Sequence, residues 1–540
     1  MIINQKGFLQ SHSNPHKVGH YLVYAKGFYF FSKHPSGSRS ISKFLLELDA
    51  GKDIREISSL LKGQYFLCVL NEVTRHIYCF TDESGSYNAF YSEDFVSDSF
   101  LELSKHLNLG VKDLNPSAVA EFIHWGNLHH DRTFFEKIKK IKGDQIITFD
   151  SSGTMQLFSK LNCSIDSPSR IVSFPAYMES VSNAIRDEKI VVDITGGIDS
   201  RLLVSALNYY NVDFDLAVSG TENTKDVLIA KVVASRLNKK LLINYHHLEK
   251  IEQELDEIFY ITEGLYTIVN YHRPYQLSKM RKEAGYTLSI SGAGGEIYKE
   301  FTWLHDFPFY SKQKTNFNRY YHLRFCPISP EHNLLTGVYH DASVQLKEKI
   351  ISEWSNCFLK PTNSQTYDTI YFNYKWPLYM GCFITNNSKL VSCYAPLIEM
   401  DLAKYTYSLP RRDRVLNRFH RKWISFFSPL LSRIPTTEGG MSVSNEASFV
   451  IPDTIKYILN RCKRLANKTG QKILGRTLLP HQNPNHIDFV STLRSLPAFE
   501  LAVRHLQKEY IINSRVAPTQ INDRNVGSIL TLSKLLLELK

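Results

Sequence analysis

The stretch Asp193-Ile194-Thr195-Gly196-Gly197-Ile198-Asp199-Ser200-Arg201 is where residue types and spacing first point to chemistry. Two adjacent glycines let a backbone approach a ligand closely and turn its N–H groups inward. Hydroxyls flank them at Thr195 and Ser200, and a helix beginning here presents its positive end to an anion. The pattern predicts a phosphate cradle, with Ile194, Thr195, Gly196, Gly197, Asp199 and Ser200 at the ligand. A carboxylate beside phosphate repels it unless a cation lies between, so Asp199 adds the expectation of Mg²⁺. The plainer alternative is a Gly-Gly turn whose aspartate caps a helix. The order strand, T-G-G-x-D-S, helix favours the cradle. A second glycine loop, Ser291-Gly292-Ala293-Gly294-Gly295-Glu296, permits close approach at Ser291 and Gly292, and Glu296 offers a second carboxylate to the same metal.

Elements of a particular kind must carry these loops. Residues 189–194 (KIVVDI) read as a strand of the near-continuous apolar type that parallel sheets bury. A helical run 200–209, a strand 214–218, a helix 225–237 and a strand 240–245 follow, and 286–290 supplies another strand before the second loop. Such alternation predicts a parallel sheet with helices on both faces and a ligand at its C-terminal edge. Residues 1–160 read instead as short strands, among them 21–24, 27–31, 65–70, 76–81 and 145–149, interrupted by helical patterns at 40–48 and 117–125. That region is α+β, and the last 170 or so residues read mainly as helix, ending in 526–539. Asp193, a single charge in its strand, is expected to accept hydrogen bonds near the loop glycines.

Composition narrows the classes. The chain has 540 residues, 43% hydrophobic and 22% charged, as a soluble globular protein of two or three domains would. No stretch approaches about 18 uncharged apolar residues, so no membrane span is expected, and the opening MIINQKGFLQ lacks the apolar run of a secretory signal. Eight cysteines without a CxxC pair suit a reducing cytoplasm and argue against a zinc site. A net charge of +11 hints at anionic partners. No nucleic-acid motif accompanies it. The densest basic run is Arg411, Arg412, Arg414, Arg418, Arg421 and Lys422.

The first loop resembles the S-G-G-x-D-S pyrophosphate motif of the ATP-pyrophosphatase superfamily, with Thr195 in place of the first serine. The second loop, Val218-Ser219-Gly220-Thr221 with Asp226–Ala230, and Pro396-Leu397, Leu409-Pro410 and the Arg411–Lys422 run extend the resemblance to the asparagine synthetase family. Gly63-Gln64-Tyr65-Phe66, the turn from Asp82 to Gly85, Tyr91 and the 133–138 stretch look like the glutamine amidotransferase domain that precedes such synthetases. The resemblance implies an Ntn-hydrolase-like sandwich over 1–165, a parallel-sheet ATP-dependent synthetase domain over 166–450 and a helical C-terminal extension over 451–540. It implies ATP and Mg²⁺ as cofactors, Val218 at the nucleotide, Asp199 and Glu296 on the metal, and Arg421 and Lys422 as catalytic groups toward which pyrophosphate leaves. The partners implied are a small-molecule or peptide carboxylate and an amine, with a homodimer or a biosynthetic partner protein possible, and neither nucleic acid nor membrane.

Three departures qualify that expectation. The amidotransferase nucleophile is an N-terminal cysteine; position 2 is Ile2, and the first cysteine, Cys68, lies in a predicted strand away from any amine to activate it. Glutaminase activity is therefore expected to be absent. Ala293 stands where the family has a glutamate or tyrosine that moves protons, leaving Glu300, Tyr298 or the substrate amine for that task. Glu296 replaces the usual aspartate. A degenerate nucleotide-binding partner or regulatory subunit is the alternative these changes raise.

Overall fold

The protein, a computed structural model, is described at residues 1–10, 15–31, 34–245, 247–306, 310, 314–326, 330–437, 442–474 and 489–540. Its fold is α/β, as the alternation predicts. Ile190, Val191 and Val192 are each almost fully buried, because helices cover both faces of the strand they build. Ile190, Val192, Leu216, Val218, Leu288 and Ile290 enter one core. Val191 and Ala217 enter a smaller one on the opposite face. The five strands lie in the order Leu241–Asn244, Phe214–Ser219, Ile190–Asp193, Leu288–Ile290, Ser392–Tyr394, all parallel. The edge strand Ser392–Tyr394 was not anticipated: three residues are too few to show a period.

The N-terminal region is a sandwich of a five-stranded and a six-stranded sheet. Alternation along Leu61–Asn71 sends Phe66, Cys68 and Leu70 into the core shared by the two sheets, and Tyr65, Leu67 and Val69 under the Ser38–Asp49 helix. The two strands expected over 21–31 are one, Tyr21–Phe31, because Gly27 supplies a φ of 83° and the ladder continues through it. A Cβ at Gly27 would meet the Gln64 carbonyl at 2.2 Å. The closing Asp523–Glu538 helix shares a core with the Pro116–Trp125 helix as well as with Ile251–Thr262, so residues beyond 489 join both halves of the molecule. Among the described residues no helix is long and apolar enough to cross a membrane.

A buried polar seam holds the sandwich against the edge strand of the parallel sheet. Ala395 donates its N–H to Gln64 Oε1 at 2.7 Å, Gly63 donates to Glu399 Oε1 at 2.6 Å, and Lys62 and Arg170 reach Asp401 at 2.7 and 3.0 Å. Burial pushes the Glu399 carboxyl up to about 8 although Lys62 and the Gly63 amide pull the other way. An unfolded glutamate titrates near about 4.3. The proton it holds when folded therefore stabilises fully below that pH, and the stabilisation is lost as pH rises through about 8. Comparing urea midpoints of the parent and Glu399→Gln should give near-equal values at low pH. By about pH 9 the variant should lead by about 5 kcal/mol.

Candidate active site

Connections from the central strand pair run in opposite directions, to Phe214–Ser219 and Leu241–Asn244 on one side and to Ser392–Tyr394 on the other. A sheet whose connections diverge leaves a crevice beyond the carboxyl ends of its strands at that point. Both glycine loops open there, around a cavity of about 390 Å³. Ile194, Thr195, Gly197, Asp199, Ser200, Val218, Ser291 and Gly292 line it. Gly196 does not: its N–H donates to Asp226 Oδ1 at 2.8 Å, so the amide expected at the ligand faces the head of the Lys225–Leu237 helix.

The first loop is shaped by its own hydroxyls. Thr195 N–H donates to Ser200 Oγ at 3.1 Å, and Gly197 N–H donates to Thr195 Oγ1 at 3.2 Å. The loops touch each other through glycine. A Cβ at Gly292 would stand 2.8 Å from Ser200 N, and one at Gly295 only 2.1 Å from Asp199 Cγ. Only hydrogen lets the Asp199 carboxylate lie flat on the second loop.

Two basic side chains meet that carboxylate: Lys299 Nζ lies 2.8 Å from Oδ2 and His420 Nε2 lies 2.8 Å from Oδ1. Burial works to raise the Asp199 carboxyl, but Lys299 and then His420 outweigh it and hold the group well below the usual carboxylate range. Neither residue is marked by the sequence. His420 shares the Arg418–Phe427 helix with the Arg421 and Lys422 that were expected there instead. Arg421 is turned away, buried and held by Asp453 Oδ2 and the Ser444 carbonyl, both at 2.8 Å. Lys422 is exposed and lies over the Trp423 ring, 4.4 Å from its centroid. Both line a separate cavity of about 290 Å³. The structure does not bring either to the glycine loops.

Glu296 behaves differently. Its carboxyl is raised by burial and then by the Asp199 charge, and its Oε2 is buried without a hydrogen-bond partner among the described residues. An unpartnered buried carboxylate oxygen next to a second carboxylate suits a hard divalent cation. Among the described residues no three His, Cys, Asp or Glu gather into a metal cage. Mg²⁺ here would need water and substrate oxygens to complete its shell, as it does at phosphate sites. The residues fit such an ion, with Glu296 as the open ligand and Asp199 already paired.

The opposite wall is apolar and aromatic. Tyr266, Pro274, Leu277, Tyr379, Met380 and Phe383 form it, with Arg273 among them. Tyr379 and Met380 come from Tyr371–Met380, a ten-residue π-helical run whose period no 3.6-residue search would find. Burial lowers the nearby Lys375 ammonium to about 8, opposed by Glu296, and its Nζ lies 5.3 Å from the Tyr379 ring centroid. Ala293 lines the cavity without a titratable group. The substitutes expected for it are engaged elsewhere: Tyr298 donates to the Leu397 carbonyl at 2.7 Å, and Glu300 accepts from Tyr457 at 2.5 Å. Asp193 lies at the rim, paired with the Arg281 guanidinium rather than with the loop.

No family model matches the chain, and no curated protein matches it. Among solved structures, the glutamine-dependent NAD⁺ synthetase from Acinetobacter baumannii in complex with adenosine diphosphate is similar at 15% sequence identity with a TM-score of 0.18. The match covers 38% of this chain and 47% of that one, so the chain spans less than half of that protein's length.

Proposed function

We propose that the chain is an ATP-dependent, AMP-forming ligase of the asparagine synthetase type, which adenylates a carboxylate and passes the acyl group to an amine. The observation that carries this reading is the meeting of the two glycine loops, Thr195–Ser200 and Ser291–Gly295, at one cavity beyond the central strand pair. In this reading the Thr195 and Ser200 hydroxyls bind the leaving phosphates, and Gly197 keeps that wall of the cavity clear of side chain. Asp199 and Glu296 hold Mg²⁺, which would neutralise phosphate charge as pyrophosphate departs. The Val218 strand end and the Tyr266–Phe383 wall receive the less polar parts of the substrates, a small-molecule or peptide carboxylate and an amine. Lys299 keeps the Asp199 carboxylate ionised and oriented against Gly295.

The reading includes no glutaminase step. Burial drives the Cys68 thiol far above its ordinary range, and its sulfur lies 3.3 Å from Cys79 inside the sandwich, out of reach of a substrate. One observation favours the second reading, a nucleotide-binding partner subunit: the alanine at position 293 leaves the cavity wall there without a proton carrier. The test is exchange of radiolabelled pyrophosphate into ATP with pooled carboxylic acids. Exchange that appears with one pool and is abolished by chelating divalent cations supports the ligase. ATP binding without exchange in any pool supports the subunit reading.

A further inference from the structure

The helix Ala447–Leu474 has two faces with different fates. One anchors it: Asp453 pairs with Arg421 at 2.8 Å, Tyr457 donates to Glu300 at 2.5 Å, and Val450 and Thr454 line the smaller cavity. The other carries Ile451, Ile455, Ile458 and Leu459, each between 46% and 61% exposed. Spacings of four, seven and eight residues from Ile451 place them on a single stripe, and exposed Cys462 continues it. Four large aliphatic side chains in one exposed row exceed the scattered apolar residues of an ordinary surface.

Charge says what covers the stripe. Asp453 is neutralised, and from Thr454 to Leu474 the chain has no acidic residue but has Lys456, Arg461, Lys463, Arg464, Lys468 and Lys472. A second copy of this segment carries the same sign of charge and would be repelled. Nucleic acid would answer the charge and leave the aliphatic row in water. An anionic bilayer answers both, taking the apolar row below its headgroups and answering the positive charge with their own. We propose that this helix docks the protein on an anionic lipid surface.

The full chain should therefore sediment with vesicles of phosphatidylcholine and phosphatidylglycerol, be released by added salt, and stay in solution with phosphatidylcholine alone. The double variant I455E/L459E should bind the anionic vesicles at least about tenfold more weakly, since it removes two inserted side chains. The control L501E/V344E makes the same charge change at exposed positions on other helices and should bind as the parent does. Circular dichroism and melting temperature should match across all three proteins. No sedimentation with anionic vesicles would overturn the proposal in favour of an acidic protein partner. Equal loss in both double variants would also overturn it, because net charge rather than the helix would then govern binding.

Discussion

Replacing Asp199 with alanine is expected to reduce pyrophosphate exchange by on the order of a thousandfold, the effect of removing a charge-stabilising group from a closed site. The carboxylate meets the cavity, lies against Gly295 and is contacted by Lys299 and His420, so its loss removes one proposed metal ligand and the group that both of these side chains meet. Asp199→Asn preserves the shape and loses the charge. A similar collapse in both variants assigns the effect to charge, whereas near-parent exchange in the asparagine variant would remove Asp199 from the metal. Retained melting temperature in Asp199→Asn separates loss of function from loss of fold.

The second large effect concerns stability. Asp368 and Arg414 are almost fully buried and bonded twice, at 2.6 and 3.1 Å. Arg414 also donates to the Lys299 carbonyl at 3.2 Å, which fixes the backbone that carries the Asp199 partner. Removing one member of such a pair leaves an uncompensated charge in a low-dielectric setting. Asp368→Ala is expected to lower stability by about 3–5 kcal/mol, read from denaturant midpoints. Replacing both members with hydrophobic residues of similar size, Asp368→Leu with Arg414→Met, should restore most of that loss. If the double variant is as unstable as the single one, the charge pair is not the cause.

Some of this site was legible from residues 193–201 alone, because a buried strand, a glycine pair and a helix start are local features that sit within a few residues of one another. The second glycine loop was legible for the same reason, and its Ser291 and Gly292 line the cavity. Lys299 and His420 were not, since nothing local marks a lysine or histidine that meets a carboxylate across the fold. On the Arg418–Phe427 helix one residue step turns a side chain by about 100°, which separates His420, facing Asp199, from Arg421, facing Asp453. Gly196 shows the limit within the loop itself: a Cβ there would stand 2.2 Å from Thr437 Cγ2 and 3.0 Å from Asp226 Oδ1, contacts that no local pattern announces. The parallel sheet followed from its apolar strands, while its fifth strand and the π-helical wall carry no periodic signal.

The pairing of Ile190–Asp193 with Leu288–Ile290 also sets a timetable. Val191 finds Ser289 only after the two intervening strands and their helices have been made. During synthesis the first loop emerges with half of its walls still unwritten, and the second half arrives some seconds later at typical elongation rates. Loop closure over that span is slow compared with helix formation. A ribosome stalled before Ile290 thus releases a chain that carries the whole T-G-G-x-D-S sequence and no pocket, so any fragment cut inside that span is expected to be blind to ligand however well its helices form.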